Sequence, residues 1–236
     1  MKRNHIVLII GAILIALSMG SCDVLFENQF AAAGLGQPTA EQLADMADSD
    51  DPAIAQPALA LEVEALLEEG GARPIVDGLV DVLLNGDLEG VGDSGDAMGD
   101  LIGSLIPEGL LDEPGALAAA IDAITGSLAD LDALADSVEG DSFAADGIDV
   151  QTLAMTAALA TVFNTLEPAG DSSIGEALES YYSAAADAET SGDPAPDIST
   201  YLTVPPGTDF GTLFGEGSTV YVLLTVAGID MNSLDV

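Results

Sequence analysis

Residues 114–138 read PGALAAAIDAITGSLADLDALADSV. Leu117, Ile121, Ile124, Leu128, Leu131 and Leu134 or Ala135 recur at alternating steps of four and three, reaching Val138. That is the period of an α-helix with one buried stripe. Pro114 suits a first turn, and Gly126 is where such a helix would break. A stripe this long must pack lengthwise against a partner.

The neighbouring segments repeat the pattern. Thr39 and Gln42 form a capping box opening a helix through Met46. Leu59, Val63, Leu66 and Leu67 share a helical face, and Gly70-Gly71 ends it. Pro74 opens the next helix, whose face is Ile75, Leu79, Val80, Leu83 and Leu84, with Gly86 as its stop. Met98, Leu101, Ile102 and Leu105 make a shorter helix ended by Pro107. Val150 to Leu166 is Ala-rich with Leu153, Ala157, Val162 and Leu166 in register. Ser173 and Glu176 form a second capping box ahead of Ile174, Leu178, Tyr181 and Tyr182. The fold class expected is mainly α: a bundle of about six helices, with a short C-terminal segment that can contain strands.

The composition shifts after Thr190. SGDPAPD reads as a linker, and Thr219 to Val226 form an apolar run. Strand and helix both fit that run; Thr219, Val220, Val222, Thr225 and Val226 are β-branched and favour strand. The expected organisation is a leader at 1–21, a tether at 22–38, an acidic helical domain at 39–190 and a C-terminal segment at 191–236 packed on it.

Charge narrows the chemistry. The chain has 41 acids against 3 Lys and Arg, a formal net charge of −38, and no Trp. Beyond residue 22 there is no Lys, no His and no Cys; Arg73 is the one cation, and every acid lies there. Serine and cysteine triads need His, Schiff bases and P-loops need Lys, and zinc, copper and iron sites want His or Cys. Phosphate clamps and nucleic-acid grooves need several cations, so nucleic acid is excluded as a partner and no cofactor is assigned. Carboxylate chemistry remains open. Nearly half the residues are hydrophobic (49%), which argues for a folded chain despite the charge. Acids spread along the whole sequence read as a salt-adapted surface, since molar salt shortens the Debye length to about 3 Å.

The first residues, MKRNHIVLIIGAILIALSMGSC, combine cationic Lys2 and Arg3, an apolar run from Ile6 to Leu17, and small residues leading into Cys22, with Met19 where Leu is usual. This leader resembles the lipobox signal peptide of bacterial lipoproteins. The resemblance implies that Cys22 is the lipid-attachment residue, acylated and made N-terminal by cleavage, so that the chain is lipid-anchored in the cell envelope outside the cytoplasm. Asp23 resembles an inner-membrane retention signal whose meaning varies between lineages, so the choice of membrane stays open.

Asn85 to Asp96 (NGDLEGVGDSGD) resembles the calcium loop of the EF-hand family, with oxygens at positions one, three, five, nine and twelve and Gly at six. Asn85, Gly92 and Asp96 depart from the pattern at positions one, eight and twelve, and no metal ligand is assigned. Tyr181 and Tyr182 read as rim residues over the core, and Arg73 as the partner of a nearby acid. The function expected is a non-catalytic binding or structural module of the envelope. The alternatives are a carrier or adaptor holding an apolar ligand or partner protein between helices, and a carboxylate-dependent hydrolase with two acids facing each other.

Overall fold

The computed structural model describes residues 38–85, 106–138, 142–144 and 148–228. The leader, Cys22, Asp23, nearly all of the tether, the loop from Gly86 to Asp96 and the helix expected at 98–105 lie outside these residues.

The fold is mainly α. Its elements in chain order are α1 (Ala40–Ala47), α2 (Pro52–Glu69), α3 (Arg73–Asn85), α4 (Glu108–Leu111), α5 (Ala116–Gly126), α6 (Leu128–Asp136), α7 (Val150–Thr165), β1 (Glu167–Pro168), α8 (Ile174–Ser191), a 3₁₀ turn (Ile198–Thr200), β2 (Leu202–Thr203), α9 (Phe210–Leu213) and α10 (Thr219–Val226). Both capping boxes form. Thr39 Oγ1 accepts from Gln42 N–H at 3.3 Å while Gln42 Oε1 accepts from Thr39 N–H at 2.9 Å. At α8 the Ser173 hydroxyl and the Glu176 carboxylate make the same exchange.

Helix α7 is the centre. Every residue from Leu153 to Ala160 is buried, because α3, α5, α6 and α10 pack around it. A helix enclosed on all sides needs no apolar stripe, and Ala at 154, 157, 158 and 160 lets neighbours approach from every direction. Helix α2 is likewise buried from Ala55 to Ala60, where it meets α1, α5 and α6.

The long periodic segment resolves into α5 and α6, separated at Ser127 beside Gly126. Leu117, Ile121, Ile124, Leu131 and Leu134 are fully buried and Leu128 half-buried. The backbone hydrogen bonds run on through the junction: Ser127 N–H donates to Ala123 O at 3.1 Å and Leu131 N–H to Ser127 O at 3.0 Å. The buried Ser127 hydroxyl donates back to Ile124 O at 2.7 Å.

Helix α5 receives two glycine contacts. Gly175, at the start of α8, lies so close that a Cβ there would stand 2.6 Å from Ala118 Cα and 2.7 Å from Ala118 O. Gly70, ending α2, lies against Ala123 and Ala119 in the same way. These close approaches hold α2 and α8 to the Ala-rich face of α5.

The strand favoured at residues 219–226 is corrected: the run forms helix α10. Val220, Leu223 and Leu224, at helical spacing, are fully buried where α10 meets α7 and α6. Ser218 Oγ caps the helix by accepting from Tyr221 N–H at 3.2 Å. Packing of the helical face outweighs β-branched propensity, which is a weak local term. The strand pair that does form is β1 with β2, antiparallel, with Glu167 opposite Thr203 and Pro168 opposite Leu202. Among the described residues, no helix is long and apolar enough to cross a membrane.

Candidate functional site

Three acids from three elements converge beside α2. Glu62 lies midway along α2, Asp130 in the first turn of α6, and Asp48 at the C-cap of α1. Partial burial raises the Glu62 carboxyl above the ordinary carboxylate range, and the charges of Asp130 and Asp48 raise it further. Partial burial also raises Asp130. The seam exists because α1 and α6 both pack on α2, which brings acids distant in sequence to one place. Such a seam favours holding a proton over releasing it. Among the described residues, no group of three or more His, Cys, Asp or Glu is placed to hold a metal ion.

Glu64, two residues on, is raised chiefly by burial; the charge of Arg73 opposes that shift, and Asp149 and Glu68 add to it. Arg73 itself is exposed at the first position of α3. Its charge thus acts on an acid of the preceding helix.

Tyr181 and Tyr182 sit half-buried on α8 and pack against the core. Tyr181 meets Tyr182 edge-on with ring centroids 5.1 Å apart, and meets Tyr201 edge-on at 5.7 Å. The three rings join α8 to the chain entering β2. Cys22 and the Asn85–Asp96 loop beyond Asn85 lie outside the described residues.

Two polar anchors were not foreseen. Gln56 is fully buried in α2: its Nε2 donates to Ser137 O at 2.9 Å, and its Oε1 accepts from Ala144 N–H at 2.8 Å. The signal was available, because Gln56 falls on the helical stripe that continues through Ala60, Val63 and Leu67. The second anchor is the Thr219 hydroxyl, which donates to the Asp132 carboxylate and ties the start of α10 to α6. Nothing local in the sequence pairs those two residues.

Comparison with protein-family models, with curated proteins and with solved structures found no match.

Proposed function

We propose that the chain is an exported lipoprotein, held at a membrane through acylated Cys22, whose helical domain is a non-catalytic binding or structural module of the cell envelope. The observation that carries this reading is the leader MKRNHIVLIIGAILIALSMGSC, cationic, apolar and then small up to Cys22. Two or three acyl chains hold a protein stably where one binds marginally.

The non-catalytic part rests on side-chain chemistry. Beyond residue 22 the sequence has no His or Lys and one cation, Arg73, which removes the usual general bases, amine nucleophiles and anion clamps. Raised carboxylates are present at Glu62, Glu64 and Asp130, and partial burial by helix packing is the first cause at each.

The test is metabolic labelling with a palmitate analogue in a bacterial host. Wild type should take up label and lose its leader, and Cys22→Ser should do neither. Equal labelling of the two would overturn the anchor.

A further inference from the structure

We propose that residues 219–226 are a conditional helix, and that this segment, once released from α7, pairs as β-strands with the same segment of a second copy of the chain. TVYVLLTV has five β-branched residues and a tyrosine, with no Gly, no Pro and no charge. That composition favours strand and steric-zipper stacking over helix where no packing decides. Its helical state therefore comes from surroundings: Val220, Leu223 and Leu224 are buried where α10 meets α7 and α6, Ser218 caps the first turn, and Asp132 holds Thr219. Take the docking away and the local preference is left to decide.

Charge selects the occupant. From Gly217 to Gly228 there is no Asp, Glu, Lys, Arg or His, in a chain of formal net charge −38. Identical copies repel along most of their length, and in-register stacking of this segment places no like charges opposite each other. Val150 to Leu166 is also uncharged, but it is Ala-rich and prefers helix by itself. The assembly is consequently gated by salt. Released chains at low ionic strength stay apart, and released chains in molar salt, with repulsion screened, associate.

The test heats the full chain through its melt in low and in molar salt, following far-ultraviolet circular dichroism and thioflavin fluorescence, then maps the protease-resistant core by mass spectrometry. In molar salt the helical signal should give way to β signal, with a resistant core containing 219–226; in low salt the unfolded chain should stay soluble. Thr225→Glu places a charge in the run at a partly exposed position while favouring helix, and should lengthen the assembly lag about tenfold or more with the folded helical signal retained. Val226→Glu, at a partly exposed position outside the packed core, should act likewise. A resistant core lying elsewhere, at 6–17 or 150–166 for example, overturns the proposal. So do amorphous aggregates without β signal, or glutamate variants that fold and assemble as fast as wild type. Should one variant fail to fold, the other variant and the wild-type core decide.

Discussion

Changing glycine to alanine should have opposite effects at Gly175 and Gly126. At Gly175 the new Cβ would lie 2.6 Å from Ala118 Cα, 2.7 Å from its carbonyl oxygen and 3.0 Å from its carbonyl carbon. All three are backbone atoms, so no side chain can rotate aside; α8 must back away from α5 by roughly 0.8 Å to reach ordinary contact near 3.4 Å. Displacements of this kind in a packed interior cost about 1–3 kcal/mol. The helix-propensity gain is small in the first turn, so the net loss should be about 2 kcal/mol. For a chain of this size that lowers Tm by about 4–8 °C. At Gly126, exposed at the end of α5, a Cβ meets nothing within 4 Å. There the lower unfolded-state entropy of Ala should stabilise by about 0.5 kcal/mol, or about 1–2 °C. Thermal and urea melts in molar salt, read by circular dichroism, measure both. A Gly175→Ala melt at or above the wild-type value would refute the close approach of α8 to α5. A Gly126→Ala loss as large as the Gly175→Ala loss would refute the distinction between the sites.

Three further outcomes follow from charge and hydrogen bonding. Raising salt from millimolar to molar should raise Tm, since 41 acids face 3 cations in the chain; a flat or falling Tm would sink the salt-adapted reading. Acidification from neutrality to about pH 4.5, the ordinary glutamate value, at low salt should also raise Tm, because Glu62, Glu64 and Asp130 bind protons more tightly when folded, so stability falls as pH rises through their raised values. Glu62→Gln should shrink that gain, whereas Asp197, lowered by the hydrogen bonds from the Ser199 side chain and backbone, acts only below the ordinary aspartate range; a Tm that drops over this interval contradicts the account. Gln56→Ala should cost about 1–3 kcal/mol by removing both hydrogen bonds of a buried side chain, and a neutral melt would show that this staple holds nothing.

Helices with one buried stripe were legible, and enclosed ones only partly so. Leu117, Ile121, Ile124 and Leu131 announced their face through spacing, and Thr39 and Ser173 announced their caps through chemistry that spans three residues. Helix α7 could be expected as a helix, but eight consecutive buried residues leave no period from which to read its central place. Helix α10 misled because five β-branched residues outweigh Leu223 and Leu224 in any local count, while burial against α7 and α6 is a tertiary quantity. The acidic seam was invisible for a similar reason. With so many carboxylates, sequence spacing cannot choose Glu62, Asp130 and Asp48 from the rest; the packing of α1 and α6 on α2 chooses them.

The division between interior and surface explains how so unbalanced a chain folds. Among the described residues, the buried polar side chains are Gln56, Ser127 and Thr156, and each is hydrogen-bonded: Gln56 to Ser137 and Ala144, Ser127 to Ile124, and Thr156 to Thr152 O at 2.8 Å. No acid whose side chain is described is buried. The core therefore avoids the desolvation cost of an enclosed carboxylate, and the charge acts as repulsion spread over the surface. Salt works on both parts in the same direction, screening the surface and, with excluded anions such as sulfate, strengthening apolar burial. Where packing half-encloses an acid, as at Glu62, Glu64 and Asp130, the carboxyl is pushed toward its neutral form, and of these Glu62 and Asp130 lie on the α1–α2–α6 seam. Glu62→Gln with Asp130→Asn should therefore narrow the difference between low-salt and molar-salt melts more than removing two exposed acids such as Asp122 and Asp187. Equal narrowing by the two pairs would mean that net charge alone, and not its placement on the α1–α2–α6 seam, governs the salt response.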